Sequence, residues 1–330
     1  MKNQNSITDI PGILVGQVED LDSLTGCTVI LCEKAATGGV DQRGGAPGTR
    51  ETDLLNPINL VNKVNAILLA GGSAFGLNAA SGVMRYLKEK KMGFNAGTVK
   101  VPIVPAAILF DLGIGNSDAF PDEEMGYQAC KAASSEAPKQ GNYGAGCGAT
   151  VGKLYGMGQA MKSGIGTASV HLGGGVIVGA IVAVNAFGDV IEPTSGEILA
   201  GTRSKKLGPF QLGSPAYFAN TLDSMRSLTG RKVMGLAGKS NTVIGVVASN
   251  ANFVKSETTK VAQMSQDGLA RSIQPAHTMM DGDTIFALST GRKSADVSTI
   301  GSWAAEALSI AILNAVRSAE STAGLPGLYS

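Results

Sequence analysis

The sequence predicts a layered α/β fold, because short apolar stretches typical of buried strands alternate along the chain with longer segments of helical periodicity. Hydrophobic residues make up 44% of the 330 residues and charged residues only 16%, which is enough apolar material for a large core. The 45 glycines are scattered through apolar runs without a repeat, which indicates many tight turns and excludes a collagen-like chain. We expect a single domain spanning 1–330.

In the N-terminal half, apolar runs bounded by turn residues predict strands. They lie at 13–16, 26–31 and 66–70. Residues 101–111 carry two prolines in an apolar run and predict an edge or irregular strand, and residues 122–135 predict a helix. The loop at 44–53 is dense in Gly and Pro, so it is either an ordinary connector or one wall of an active site.

A glycine turn follows the strand at 66–70 and leads into a helix. This strand–turn–helix order offers backbone N–H groups to an anion or an oxyanion. The spacing matches neither of the common nucleotide-binding motifs, which argues against a dinucleotide cofactor. We regard Gly71, Gly72 and Phe75 in this turn as candidate substrate-binding residues.

The C-terminal half continues the alternation. Residues 166–184 predict two strands joined through the glycines at 173–175, and 203–215 predicts a surface loop. Strands are also predicted at 242–248 and at the end of 277–288. Helices are predicted at 216–229, 256–273 and 298–319. The last of these is apolar over much of its surface, so we expect it to be buried on more than one side.

Charge and hydropathy exclude several classes of partner. The net charge is +1 without a basic stripe, which argues against a nucleic-acid partner. The longest apolar run, at 173–184, is too short and too rich in glycine to cross a membrane. The N-terminal residues carry no apolar segment of the secretory type, so we expect a cytoplasmic protein.

The four cysteines show neither a CxxC spacing nor clustering with histidine. We therefore expect reduced thiols and neither a metal site nor another cofactor. Cys147 together with His171 or His277 would form a thiol nucleophile and its base, whereas the alternative is a small buried thiol without a chemical role.

A polar turn changes abruptly to a β-branched strand within residues 239–248, and Thr242 is the first residue of that strand. We hypothesise that the chain cuts itself between Asn241 and Thr242, which would make Thr242 a catalytic nucleophile. Its new α-amino group, with a reference pKa of about 7.7, would act as the base that the hydroxyl needs. The alternative is an ordinary turn followed by a strand.

Four further polar residues are candidates for a site. Asn185 ends an apolar strand and is either a turn residue or a neutral donor to an oxyanion. Lys153 is a single cation beside a glycine-rich segment, and its alternative is a solvated lysine at a strand end. Asp281 and Asp283 lie in a turn that precedes another buried strand.

Taken together, six motifs resemble one family over nearly the whole chain. They lie at 43–53, 71–77, 101–105, 144–146, 241–242 and 277–284. The chain resembles the self-processing L-aminopeptidase/D-esterase family, which includes β-peptidyl aminopeptidases and 6-aminohexanoate-oligomer hydrolases. The resemblance implies an αββα sandwich, similar to the N-terminal-nucleophile hydrolases but with different connectivity. It also implies cleavage into chains 1–241 and 242–330, and assembly as a homotetramer or larger.

By position, the resemblance makes Asn185 the oxyanion donor and Lys153 an active-site cation. It makes Asp281 and Asp283 the pair that orients the nucleophile. Phe110 stands where several members carry a tyrosine, which casts doubt on any mechanism that needs that hydroxyl, and we include it among the candidate substrate-binding residues.

The activity implied by the resemblance is that of an aminopeptidase or amidohydrolase. It would release N-terminal amino acids from small peptides, amides or esters through an acyl-enzyme on Thr242. Endo-hydrolysis of 6-aminohexanoate oligomers is the first alternative, and acyl transfer of the ornithine acetyltransferase kind is the second. In a third alternative the protein only binds a ligand and Thr242 is merely a strand residue.

Overall fold

Two β layers pack face to face, and helices cover the outer side of each layer. The computed structural model describes residues 3–207, 210–213, 216–227 and 241–329. The strands are β1 Ile13–Asp20, β2 Thr25–Gln42, β3 Thr49–Arg50, β4 Lys63–Ala70, β5 Phe94–Asn95, β6 Lys100–Val101, β7 Ala106–Ile108, β8 Thr150–Val151, β9 Met161–Lys162, β10 Ile165–His171, β11 Ile177–Asn185, β12 Asp189–Ile191, β13 Ile198–Ala200, β14 Lys205–Leu207, β15 Phe210–Leu212, β16 Thr242–Ala251, β17 Ile273–Gln274 and β18 Thr284–Lys293. The α-helices are α1 Ala79–Glu89, α2 Glu123–Ala132, α3 Thr221–Arg226, α4 Lys255–Ser272 and α5 Val297–Arg317.

The long strand β2 joins the two layers. Its first part pairs with β1 and β4, its last part pairs with β18, and the register with β4 breaks between Leu31 and Ala36. Glu33 and Lys34 are exposed at this break. The hydrogen-bonded order is β10-β11-β16-β18-β2-β4-β7-β3, with β1 beside β2. Because β2 belongs to both layers, the hydrogen-bonded strand order continues from one layer into the other.

Alternating side chains along the strands fill the spaces between the layers. In β16, Val243 and Val247 face α4 and α5, whereas Ile244 and Val246 point into the space between the two β layers. Helices α1 and α2 cover the outer face of β2 and β4. Since both faces of β16 are covered, the whole strand is buried, which explains why it is apolar throughout. The predicted αββα sandwich is confirmed.

Most predicted elements are confirmed, among them the strands at 13–16, 26–31 and 66–70, the two strands within 166–184, and the helices at 122–135, 256–273 and 298–319. The glycine turn after β4 leads first into a 3-10 helix, Ser73–Asn78, and only then into α1. In the prolyl segment, β7 is short and irregularly flanked, as predicted, but the two-residue strand β3 covers its outer side.

Two predictions in the 203–229 region need correction. The predicted surface loop contains the hairpin β14–β15, although residues 208–209 and 214–215 lie outside the described residues. The helix predicted at 216–229 is wrong in extent, because α3 begins only after Asn220, whose side chain caps it, and ends at Arg226. Residues 228–229, and 239–240 of the predicted cleavage junction, also lie outside the described residues.

Helix α5 is a core helix. In the described part of the chain it is the one helix long and apolar enough to cross a membrane by length and composition, but 67% of its most apolar stretch is buried inside the protein. Its buried positions lie on more than one side, as predicted, because it packs against both α4 and the β10–β11 strands.

Candidate active site

Three strand ends bring the predicted site residues together. Asn185 is the last residue of β11 and pairs directly with Thr242, the first residue of β16. Strand β18 runs parallel to β16 and begins at Thr284, so Asp283 reaches the same edge. Because β11 is antiparallel to both, its carboxyl end meets the amino ends of the other two. The sheet topology thus gathers residues that are up to 98 positions apart (283 − 185).

The carbonyl group between Asn241 and Thr242 is held by two donors. The backbone N–H of Gly282 donates to the Asn241 oxygen at 2.9 Å, and the Thr242 hydroxyl donates to the same oxygen. Asn241 and Thr242 are both buried. Two hydrogen bonds to one buried carbonyl oxygen polarise it toward an oxyanion, and they place the hydroxyl beside the bond that was predicted to be cut.

Asp283 clamps the start of β16. Its Oδ1 accepts the backbone N–H of Val243 at 2.9 Å. Its Oδ2 accepts the backbone N–H of His277 at 3.0 Å and lies 2.9 Å from the Nδ1 of the same residue. The carboxylate is buried and binds the residue that follows Thr242, so it holds the backbone at the start of β16.

Asp281 holds the turn that contains it. Its Oδ2 accepts the backbone N–H of Thr278 at 2.9 Å and the hydroxyl of the same residue, and its Oδ1 accepts the N–H of Phe187 at 3.4 Å. Burial raises the pKa of Asp281 to about 6, and the negative charge of Asp283 adds to the effect, while the hydrogen bonds oppose it. Asp281 therefore changes its charge close to neutral pH.

Lys153 and Asn185 form a buried pair. The Lys153 Nζ donates to the Asn185 Oδ1 at 2.7 Å and to its backbone oxygen at 3.1 Å. The N–H and hydroxyl of Thr150 donate to the same Oδ1, and the Asn185 Nδ2 donates to the backbone oxygen of Phe110 at 2.9 Å. These contacts assign the two ends of the Asn185 amide: Oδ1 faces the donors, and Nδ2 faces an acceptor.

The lysine is not the solvated strand-end residue that the alternative predicted, because it is only 7% exposed. Burial lowers the pKa of Lys153 to about 7, while the negative charges of Asp281 and Asp111 oppose the shift. The ammonium form is therefore lost close to neutral pH. Lys153 donates to Asn185, which pairs with Thr242, and it also lines the cleft beside Phe110.

The start of the predicted loop at 44–53 lies against the backbone of Asp281 and Asp283, whereas Thr49 and Arg50 pair with β7. The backbone N–H of Arg43 donates to the backbone carbonyl oxygen of Asp283 at 3.0 Å, and that of Ala46 donates to the backbone carbonyl oxygen of Asp281 at 2.9 Å. A Cβ at Gly44 would collide with the Asp281 carbonyl oxygen. Only glycine allows this close approach of two backbone segments.

The glycine turn after β4 binds a carboxylate of the protein itself. The N–H of Gly72 donates to the Asp111 Oδ1 at 2.6 Å, the Thr25 hydroxyl donates to Oδ2 at 2.8 Å, and a Cβ at Gly71 would collide with that carboxylate. The turn therefore does offer an N–H to an anion, but Asp111 occupies it. Gly71 and Gly72 support the segment that carries Phe110, so the structure does not place them as ligand contacts.

The two candidate phenylalanines lie in different places. Phe75 is on the surface, 60% exposed, with its ring stacked on that of Phe120 at a centroid distance of 4.9 Å. Phe110 lines a small cleft of about 50 Å³ together with Thr150, Lys153 and Met157. The cleft is thus lined by residues that contact Asn185, and Phe110 remains a candidate for substrate contact.

The thiol-nucleophile interpretation is wrong for Cys147. The thiol is buried, and burial raises its pKa to about 12, which disfavours the reactive thiolate. The two histidines pair elsewhere: the Nε2 of His171 lies 3.6 Å from Asp9, and His277 contacts Asp283. Within the described ranges we find no cluster of three or more His, Cys, Asp or Glu side chains that could hold a metal ion.

Several residues of the site were missed from the sequence. The Gly282 N–H lies inside the motif at 277–284, and so does His277, which the sequence suggested only as a base for Cys147. Treating every residue of that motif as a candidate could have found both contacts. Lys162 is completely buried, and its Nζ donates to the backbone oxygens of Ala149 at 2.9 Å and Ser163 at 2.7 Å. Nothing in the local pattern around Lys162 indicates such burial.

Comparison with known proteins identifies the family of the chain. The model of peptidase family S58 matches residues 5–329. The chain belongs to peptidase family S58. It is therefore a hydrolase that acts on peptide or amide bonds, and it is of the aminopeptidase kind.

This S58 chain is similar in sequence to two groups of proteins. An uncharacterized aminopeptidase of Mycobacterium leprae is 41% identical, with 98% of this chain and 92% of that protein aligned. An uncharacterized aminopeptidase of Mycobacterium tuberculosis is also 41% identical, with 98% and 96% aligned. A 6-aminohexanoate-oligomer endohydrolase of Kocuria sp. is 30% identical, with 94% and 85% aligned.

Solved structures share the fold of this S58 chain. A β-aminopeptidase of Burkholderia sp. superposes with a TM-score of 0.69 at 21% identity, covering 99% of this chain and 91% of that one. The L-aminopeptidase D-Ala-esterase/amidase of Ochrobactrum anthropi, described as a variant of the Ntn hydrolase fold, gives 0.73 at 18% identity, covering 99% and 92%. The chain therefore has an Ntn-hydrolase-like fold.

Proposed function

We propose that this S58 peptidase cleaves its own chain between Asn241 and Thr242 and then uses Thr242 as an N-terminal nucleophile. In this proposal it releases N-terminal amino acids from small peptides, amides or esters through an acyl-enzyme. The observation that carries the proposal is the Asn241 carbonyl group, which accepts hydrogen bonds from both the Gly282 N–H and the Thr242 hydroxyl.

Self-cleavage would proceed through an ester. The Thr242 Oγ1 attacks the Asn241 carbonyl carbon and loses its proton to a base, while the Gly282 N–H stabilises the negative charge on the oxygen. The bond from that carbon to the Thr242 nitrogen then breaks, and the nitrogen takes up a proton. Water hydrolyses the resulting ester, which leaves a carboxylate on Asn241 and a free amine and hydroxyl on Thr242.

The processed enzyme would then carry its base on the nucleophile. The α-amine of Thr242, with a reference pKa of about 7.7, accepts the hydroxyl proton during attack on the substrate carbonyl and returns it to the leaving amine. Water releases the acyl group in a second step of the same kind. The buried carboxylate of Asp283 holds the Val243 N–H, which keeps Thr242 in place.

We assign Asn185 to the oxyanion of the acyl-transfer step. Its Nδ2 carries two N–H groups, and the Phe110 oxygen takes one of them. Lys153 and Thr150 hold the amide oxygen, so the second N–H has a fixed direction. A donor of this kind is typically worth about 3–4 kcal/mol of activation free energy.

Intact mass measurement under denaturing conditions tests the proposal directly. The purified wild-type protein should give two fragments of 241 and 330 − 241 = 89 residues. Thr242→Ala should give one uncut chain without amidase activity. Thr242→Ser, which keeps a hydroxyl, is the matched control and should be cut. A wild-type protein that is active and uncut would refute the mechanism.

An endo-hydrolase of ω-amino-acid oligomers is the second candidate, and the cleft beside Lys153 favours it. An aminopeptidase that binds a charged substrate amine needs a counter-charge, and the carboxylate lining this cleft is Asp111. Both of its oxygens already accept hydrogen bonds, from Gly72 and Thr25. The relative named for this activity in Kocuria sp. is 30% identical.

The two candidates differ in how they treat a blocked amine. Matched peptides with a free and an acetylated N-terminus, and a linear 6-aminohexanoate oligomer, should be compared by mass spectrometry of the products. Hydrolysis of free-amine peptides only, one residue at a time, supports the aminopeptidase, whereas internal cleavage of the oligomer supports the endo-hydrolase. Transfer of the acyl group to an added amine without net hydrolysis would instead indicate an acyltransferase.

We further propose that the protein is cytoplasmic and assembles as a homotetramer or larger oligomer. The four cysteines are buried free thiols, which is consistent with a reducing compartment. Ile58 and Leu60 are 88% and 74% exposed on one loop, which is consistent with a surface that another subunit covers. Light scattering coupled to size-exclusion chromatography would measure the mass of the assembly, and a monomer would contradict the proposal.

A further inference from the structure

His277 makes an unusual pair of contacts with one carboxylate oxygen. Its backbone N–H donates to the Asp283 Oδ2 at 3.0 Å, and its ring Nδ1 lies 2.9 Å from the same atom. The backbone of His277 has a φ of +57°, in the left-handed region that is uncommon for residues other than Gly, although Asn, Asp and His adopt it more often than most. The turn therefore brings the backbone nitrogen and the ring Nδ1 of His277 to Asp283, and the backbone conformation that this needs is an uncommon one.

We propose that His277 is a positioning residue that acts on Thr242 through Asp283, by donating its Nδ1–H to the carboxylate. The inference rests on the proposed function, since it assigns His277 a role in the self-cleavage and in the acyl transfer by Thr242.

A short series of contacts connects the ring to the nucleophile. Asp283 uses Oδ2 for His277 and Oδ1 for the N–H of Val243, which follows Thr242 directly. Gly282, the neighbour of Asp283 in the chain, donates its N–H to the Asn241 carbonyl oxygen. Rotation or displacement of Asp283 would therefore move the nucleophile and the donor to the reacting carbonyl at the same time.

Among the residues that the structure describes, Asp283 is the polar partner of the His277 ring. Its Nε2 is buried and, among the residues that the structure describes, has no hydrogen-bond partner. A carboxylate that already accepts two backbone N–H groups acts as an acceptor, so Nδ1 carries the proton in this contact. If the ring served only as packing, an apolar side chain would fill the place without burying an unpaired nitrogen.

Three substitutions separate the Nδ1 donor from the ring itself. Asn places an amide N–H near the Nδ1 position and tolerates the left-handed backbone, so His277→Asn keeps the donor. The longer side chain of His277→Gln places its amide near the Nε2 position, and His277→Ala removes both. His171→Asn is the matched control, because that histidine pairs with Asp9 away from the site.

Two quantities are measured for each variant. One is the rate of precursor cleavage after synthesis, and the other is the kcat of the processed enzyme on a peptide amide. The unfolding temperature of each variant is recorded alongside. We expect His277→Ala and His277→Gln to slow both rates about 10- to 100-fold, as small misplacements of reacting groups do. His277→Asn should stay within about threefold of the wild type by the same reasoning, and His171→Asn should be unchanged.

Wild-type rates in the Ala and Gln variants would overturn the inference. An equal loss in all three His277 variants would also overturn it, because the ring rather than the Nδ1 donor would then be what matters. If His277→Ala fails to fold, the comparison of Asn with Gln at equal unfolding temperature decides. A wild-type chain that is never cut would refute the proposed function instead, so the two failures are distinguishable.

Discussion

Lys162 should make the stability of the protein depend on pH in a direction that the structure specifies. The side chain is 0% exposed, and burial lowers its pKa from 10.5 to about 7, against the opposing negative charge of Asp111. Between these two pH values the unfolded chain binds a proton that the folded chain has lost. Since the unfolded state binds more protons, the contribution of Lys162 makes stability rise with pH from about 7 to 10.5.

The size of the effect follows from the two pKa values. A difference of 10.5 − 7 corresponds to about 5 kcal/mol in total, of which about 2 kcal/mol falls between pH 7 and 8.5. The buried thiols act in the opposite direction, because their pKa values are raised and they destabilise the fold only above their ordinary pKa of 9.0. A window that ends at pH 8.5 keeps their contribution small.

Lys162→Met removes the charge at similar side-chain volume and isolates this contribution. We expect the mutant to be less stable than the wild type at pH 8.5, because the oxygens of Gly146, Ala149 and Ser163 lose their donor. The gain in stability from pH 7 to 8.5 should be smaller in the mutant by about 2 kcal/mol.

The free energy of unfolding is measured by urea denaturation at fixed protein concentration, with Thr242→Ala present in both proteins so that the chains stay uncut. Groups that titrate in this window without interacting with Lys162 cancel in the difference between the two proteins. Equal pH dependence in the two proteins would refute the argument, and so would a wild-type stability that falls as the pH rises from 7 to 8.5.

Three further predictions concern the site. Asn185→Ala should lower kcat about 10²- to 10³-fold with little change in KM, because an oxyanion donor is lost; steady-state kinetics with an unchanged kcat would exclude that role. Gly282→Ala places a methyl group 2.6 Å from the Ala46 oxygen and 2.9 Å from the Thr242 Oγ1. Precursor processing, followed on denaturing gels, should then slow about 100-fold, and a normal rate would contradict the assigned geometry. Burial and the neighbouring carboxylate raise the pKa of Asp281 to about 6, so the side chain is neutral below that pH and the processing rate should fall there. In Asp281→Asn this midpoint should vanish from the pH profile, and its persistence would assign it to another group.

Several elements of the fold were readable because their signals are local. The β-branched run after Asn241, the glycine turn after 66–70 and the long apolar helix at the C-terminal end depend on residue type and short-range periodicity. The predicted extent of α3 was wrong because the start of this helix is not set by local signals alone. It depends on the Asn220 cap and on the burial of Thr221 against Asp189, which is remote in sequence.

The site shows the same division. The motifs at 241–242 and 277–284 identified Thr242, Asp281 and Asp283 as candidates, since their residue types are those of hydrolytic chemistry. The glycine turn was read correctly as an anion site, but its anion is Asp111 of the same chain. No local pattern distinguishes a carboxylate of the protein from one of a ligand.

The sequence by itself determined which chemical groups the protein has: a threonine at the start of a strand, an amide at the end of another, a lysine and two carboxylates. The tertiary structure alone decided their partners, because β11, β16 and β18 meet only when distant segments pair. It also decided their charges, since burial, which depends on the whole fold, lowers the pKa of Lys153 to about 7 and raises that of Asp281 to about 6.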